Sequence, residues 1–180
     1  SPSPFWGPGA AVSCDRLARF AIEQYHHAMS HPPMTPMNRA LALAEEAAAN
    51  GEAPVGAVVM EGETVLAAER NRMKALNDPT AHAELLAMRA ALAKRGTGRL
   101  DGCDLYVTLE PCAMCAGAIA HSRVRRVYFA AEDTKAGAVE NGVRLFEQPS
   151  CHHAPEIIGG IGASRSEAML KAFFQDLRRG

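Results

Sequence analysis

The chain has 180 residues, 48% of them hydrophobic and 22% charged, with a formal net charge of −1. That is enough for one compact domain with a core, leaves little room for two, and excludes a strongly basic protein that attracts polyanions through a global field. No apolar run approaches the roughly 20 residues that cross a bilayer, and the N-terminus lacks the basic-then-apolar order of a secretory signal, so a cytoplasmic protein without membrane attachment is expected.

Residues 1–36 carry Pro, Gly and Ser clusters on either side of Asp15 to Met29, which has the composition of one short amphipathic helix. They are expected to form an N-terminal extension, poorly ordered or holding that single helix, ahead of a domain over 37–180. "NRALALAEEAAANGE" then reads as a helix stopped at Asn50-Gly51, and "APVGAVVM" and "TVLAAERNR" as two strands of a hairpin around "EGE". "DPTAHAELLAMRAALAKRG" predicts an amphipathic helix, "CDLYVTLEP" a strand, "AMCAGAIAHS" a short helix, "RRVYFAA" a strand and "EIIGG" a fifth, short one. In the closing helix "SRSEAMLKAFFQDLRR", Met169, Leu170, Phe173, Phe174 and Leu177 fall on one face. Strands alternating with helices predict the α/β class, with at least part of the sheet parallel. Arg125, in a run that alternates around an apolar strand, is expected simply to face solvent.

Five cysteines, an odd number at irregular spacing, argue against a disulfide framework. Cys14, Cys103 and Cys151 have no partner in sequence and read as packing residues or free thiols. Cys112 and Cys115 are different, forming C-x-x-C directly behind Pro111. Alone, that pair fits a structural metal clip or a redox pair equally well. A structural tetrahedral site needs four protein ligands, and no second C-x-x-C or H-x-H follows. A redox pair usually follows the first strand of its domain, whereas two strands and a helix come earlier here.

Upstream, "HAE" opens a helix that follows a strand. His82, Cys112 and Cys115 make three ligands, the number found where zinc keeps its fourth position for water. Both segments start helices, where free amides and the macrodipole favour negative charge and lower a thiol pKa. Two such N-termini at adjacent strand ends can converge on one point. Glu84 is then free for acid/base work, since metal-bound water has a pKa near 7 and a carboxylate beside it can carry the proton to a substrate nitrogen.

The joint pattern H-x-E with P-C-x-x-C resembles the signature of the zinc-dependent nucleobase deaminases, which is matched here and not deduced from spacing. Within that cytidine/deoxycytidylate deaminase superfamily, the chain is similar to the bacterial tRNA-specific adenosine deaminases from about Asn38 to Arg179. The similarity is carried by "PVGAVV", the Asn-Arg of "ERNR", "DPTAHAE", "LYVTLEPCAMCAGAIAHSRV", "RRVYFAAEDTKAGA", "HAPE" and the "FF" before the terminal arginines. The resemblance implies a three-layer α/β/α sandwich on a mixed five-stranded sheet, a homodimer, one Zn2+ per subunit, and conversion of the wobble adenosine of a tRNA anticodon stem-loop to inosine. It implies zinc on His82, Cys112 and Cys115, with Glu84 as proton shuttle. Asn71 and the Ala83 amide would hydrogen-bond the purine, and Asp133, Lys135 and Arg178 would lie near the anticodon loop. Departures are His152-His153, where relatives often show Asn-His, and "VENG" after Ala-Gly-Ala. A deaminase of free bases or nucleosides shares the zinc set, and a non-catalytic zinc module binding RNA would need no Glu84.

Overall fold

In a computed structural model of the protein, residues 34–179 are described. The helix expected over 15–29 lies outside them. Helix α1 spans Pro36–Ala49: the Thr35 hydroxyl at its N-cap accepts the Asn38 amide, and proline occupies the first position, where its missing N–H costs nothing. It therefore starts slightly ahead of the expected Asn38. Met37, Ala40, Leu41, Ala44 and Ala47 recur every three or four residues and are buried.

Strands β1 (Gly56–Glu61) and β2 (Thr64–Arg70) form the expected antiparallel hairpin. Its turn needs Gly62 at φ +57°, a left-handed conformation that disfavours other side chains. A short helix α2 (Met73–Leu76), which the sequence pattern did not suggest, follows and ends at Asn77 in the left-handed region. Then come α3 (Ala83–Arg95), β3 (Cys103–Leu109), α4 (Ala113–Ser122), β4 (Arg126–Ala131), a single 3₁₀ turn (Leu145–Glu147), β5 (Glu156–Ile158) and α5 (Ala163–Leu177). Helix α3 begins five residues after Asp78 because that carboxylate accepts the Thr80 amide and hydroxyl, fixing the "DPT" stretch as a turn.

The sheet order is β2-β1-β3-β4-β5; β1 runs antiparallel to β2 and β3, while the β3–β4 and β4–β5 pairs are parallel. Side chains alternate across it with period two. Ala57, Val59, Leu105, Val107, Val127 and Phe129 pack with α3 and α4 residues such as Met88 and Ile119. Val58, Met60, Tyr106, Tyr128 and Ala130 pack with Met37, Ala40 and Leu41 of α1 and Met169 of α5. Both faces are thus covered, giving the three-layer α/β/α sandwich on a mixed five-stranded sheet.

Two details hold the outer layers. Gly56 has no room for a Cβ because the α1 backbone, at the Ala40 carbonyl, lies against it. Buried Ser166 of α5 donates to the Thr108 carbonyl, and the Thr108 hydroxyl accepts the Gly56 amide. Arg125, expected merely to face solvent, also makes a two-pronged ion pair with Asp104, Nε to Oδ1 at 2.9 Å and Nη2 to Oδ2 at 2.7 Å. With the arginine side chain 47% exposed, solvent screens that pair.

Candidate active site

His82 and Cys112 occupy the N-cap positions of α3 and α4, and neither side chain caps its own helix. The imidazole and the thiol are therefore free to point away from the helix starts. Cys115 lies one turn into α4 and is fully buried. The two helices follow β2 and β3, which are not adjacent as expected: β1 lies between them. Convergence is achieved by the 71–83 segment, which carries His82 back across the end of β1. The Asn71 amide is bonded to the Val55 carbonyl and the Arg72 amide to the Ala81 carbonyl, closing that segment.

The ligand atoms of His82, Cys112 and Cys115 all lie within 4.8 Å of one another. His82 Nδ1 is 3.7 Å from the Cys112 sulfur and 3.6 Å from that of Cys115. Tetrahedral zinc, about 2.3 Å from sulfur and about 2.0–2.1 Å from nitrogen, requires N and S roughly 3.6 Å apart. One imidazole and two sulfurs at that separation fit zinc, and with three protein donors a tetrahedral ion keeps one position for a non-protein ligand.

Electrostatics separate the roles of the four side chains. A hydrogen bond with Cys115 lowers the Cys112 thiol to about 4, while the same contact and burial push Cys115 upward. The Cys112 contact raises His82. Glu84 is 4% exposed, and loss of solvent around it raises its carboxyl, the direction required of a group that must both take and give a proton near neutrality.

Glu84, His82 and Cys112 open into a pocket of about 200 Å³ whose walls include Asn71, Met73, Asp133, Leu170 and Phe174. Sites for whole drug-sized molecules run to roughly 300–1,000 Å³, so this pocket is small. A larger cavity, about 330 Å³, opens beside His121 and Cys151 but contains none of the ligand set. Chemistry, not size, locates the reaction.

The remaining expected residues divide. Asn71 is buried beside the ligands, but its Oδ1 accepts the Ala83 amide at 2.8 Å. The Ala83 N–H, expected to meet a purine, donates to Asn71 in this structure. Asn71 lines the pocket and keeps its Nδ2 donors, while one of the two lone pairs of Oδ1 is taken by Ala83. Asp133 lines the pocket, yet its Oδ1 accepts the amides of Lys135 and Ala136, so the carboxylate shapes its own loop. Lys135 is exposed; Arg178, also exposed, folds Nε back onto the Phe174 carbonyl at the end of α5. His152 is exposed, and its carbonyl accepts from Arg123. The sequence pattern missed Met73, Leu170 and Phe174 as pocket walls; the one signal was the apolar face of α5, on which Phe174 remains 45% exposed.

Residues 33–131 match the family model for the cytidine and deoxycytidylate deaminase zinc-binding region. Fold and site together thus define a zinc-dependent deaminase of that superfamily. Over 142 residues the chain is 50% identical to a tRNA-specific adenosine deaminase of Agrobacterium fabrum, spanning 79% of this chain and 93% of the relative. With that of Rickettsia bellii it shares 43% over 144 residues, 79% of this chain and 99% of the relative. It superposes with a TM-score of 0.74 on a structure from studies of A-to-I editing by tRNA:A34 deaminases, at 50% identity over 75% of this chain and 98% of that one. A guanine deaminase from Nitrosomonas europaea gives a TM-score of 0.63 at 28% identity, over 78% and 84%. The chain belongs to the tRNA-specific adenosine deaminases.

Proposed function

We propose that the chain hydrolyses adenosine to inosine at the wobble position of a tRNA anticodon. The observation that carries the chemistry is a buried carboxylate, Glu84, beside three donors spaced for one zinc ion. The 50% identity with a relative named for tRNA carries the choice of substrate.

Bound by His82, Cys112 and Cys115, zinc supplies activation of water at neutral pH. Glu84 accepts the proton of that water, gives it to the ring nitrogen of adenine, and delivers a proton to the departing amine, so that water replaces ammonia at C6. The Asn71 Nδ2 donates to an acceptor on the purine edge, while its Oδ1 stays locked on Ala83. Leu170 and Phe174 give the base an apolar wall and keep solvent from its face. Exposed Lys135 and Arg178 suit anticodon phosphates, and Asp133 acts through the loop it caps.

The enzyme works as a homodimer in the cytoplasm, a reading supported by the resemblance; among the described residues no helix is long and apolar enough to cross a membrane. The test is to incubate the zinc-loaded protein with tRNA and, separately, with adenine, adenosine, guanine and cytosine, measuring ammonia and inosine. Inosine in tRNA, with free bases inert, is the expected result. Ammonia from guanine with unaltered tRNA would make the protein a free-base deaminase.

A further inference from the structure

One strongly built feature has no part in the chemistry above. Glu110 closes β3, two residues before the ligand Cys112, and is 2% exposed. Its Oε1 accepts the amides of Val139, Glu140 and Asn141 at 3.1, 2.8 and 2.9 Å. Its Oε2 accepts the Asp133 amide at 3.0 Å and the Asn141 Nδ2 at 2.7 Å. All five donors are neutral, and among the described residues no basic side chain pairs with it. A carboxylate is suited to this place because both its oxygens only accept.

Those donors belong to one segment. Between β4 and the 3₁₀ turn, residues 133–141 form neither helix nor strand. Gly137 sits where a Cβ would meet Glu110 Cδ at 2.6 Å and Oε2 at 2.7 Å, so the chain closes directly over the carboxylate. The Ala138 amide adds a bond to the Pro111 carbonyl at 3.0 Å. The same segment supplies Asp133 and Ala136 to the pocket wall.

We propose that Glu110 is a positioning residue: by gathering the 133–141 amides onto one buried carboxylate, it holds that segment as a wall of the substrate pocket, and productive substrate binding depends on it. The proposal deepens the RNA-deaminase reading and rests on it for the substrate. Glu110 is not among the metal donors, and although it borders the pocket, both its oxygens are taken up by the 133–141 donors. Its effect passes through the wall and is felt where RNA leaves the pocket.

The test uses the zinc-loaded full chain and an anticodon stem-loop RNA with adenosine at the wobble position. In Glu110→Gln the side-chain oxygen can keep three amides, but the new NH₂ faces the Asp133 amide and the Asn141 Nδ2, donor against donor. Adding Asn141→Asp turns one of those donors into an acceptor. For Glu110→Gln, zinc stays at one per chain, amide exchange at 133 and 139–141 accelerates about tenfold or more, and KM rises about tenfold with kcat within about threefold. Asn141→Asp added to it recovers a substantial part of the KM change, which a general loss of stability would not do.

Unchanged exchange in that segment, or faster exchange with KM unmoved, would overturn the proposal, as would loss of zinc with kcat falling and KM intact. Should Glu110→Gln not fold, Asn141→Ala alone, which removes one donor, serves instead: faster exchange with KM raised about threefold supports the wall, and neither change overturns it. If the unmodified chain makes no inosine in this RNA, it is the substrate reading that has failed, and the exchange comparison alone decides the clasp.

Discussion

The metal corner and the 133–141 wall face one pocket and are built in opposite ways. The corner is made of side chains, His82, Cys112 and Cys115, each placed at or near the start of a helix, where local geometry aims it. The wall is made of four backbone amides and the Asn141 side-chain amide gathered on Glu110 from 23 to 31 residues away in sequence. On the proposed reading the corner carries the chemistry and the wall the fit, so damage to the first should appear in turnover and damage to the second in substrate affinity.

The sharpest way to break this division is to remove a ligand. Cys115→Ala should abolish inosine formation and leave zinc substoichiometric by elemental analysis, a loss on the order of 10³-fold or more. Chelating the metal from the unmodified chain should have the same effect, reversed by adding zinc back.

Asn71 stands between the two regions, bonded to Ala83 next to a metal ligand and open to the base. Asn71→Ala removes the Nδ2 donor and also orphans the buried Ala83 amide. A fall of about 100-fold in kcat/KM, with zinc retained, is expected in steady-state assays. A fall of only a fewfold would mean that the base does not use this donor.

At the outer rim the effects are smallest. Arg178→Ala or Lys135→Ala should weaken RNA binding a fewfold and uniformly across sequences, and lower the slope of log affinity against log salt by about one. A fall in kcat at saturating RNA would instead place either cation inside the reaction.

The same contrast explains what could be read in the sequence. The candidate ligand set and Glu84 could be picked out because imidazole, thiol and carboxylate are chemically distinct and fall in two short motifs, His82 to Glu84 and Cys112 to Cys115. The apolar runs in "GAVVM" and "LYVTL" read as strands, which prove buried on both faces, and the cysteine helix was found at its actual limits, Ala113–Ser122. What escaped was long-range or made of backbone. That β1 lies between β2 and β3 is a matter of pairing across 40 and more residues. That the Ala83 amide is already taken depends on Asn71, 12 residues earlier, folding back over the pocket. Glu110 gave one faint signal, an acidic residue between a strand and a proline with no basic partner in reach. Four of its five partners are backbone N–H groups, which every residue but proline has.

The central claim is that Glu84 moves the protons beside a zinc ion it does not bind. The most direct measurement is a single-turnover assay of Glu84→Gln on the anticodon stem-loop RNA, with zinc counted in the same preparation. One zinc per chain with inosine formation slowed about 10²- to 10⁴-fold is the predicted result. Inosine formed at the rate of the unmodified enzyme, or zinc lost on this substitution, would contradict the account.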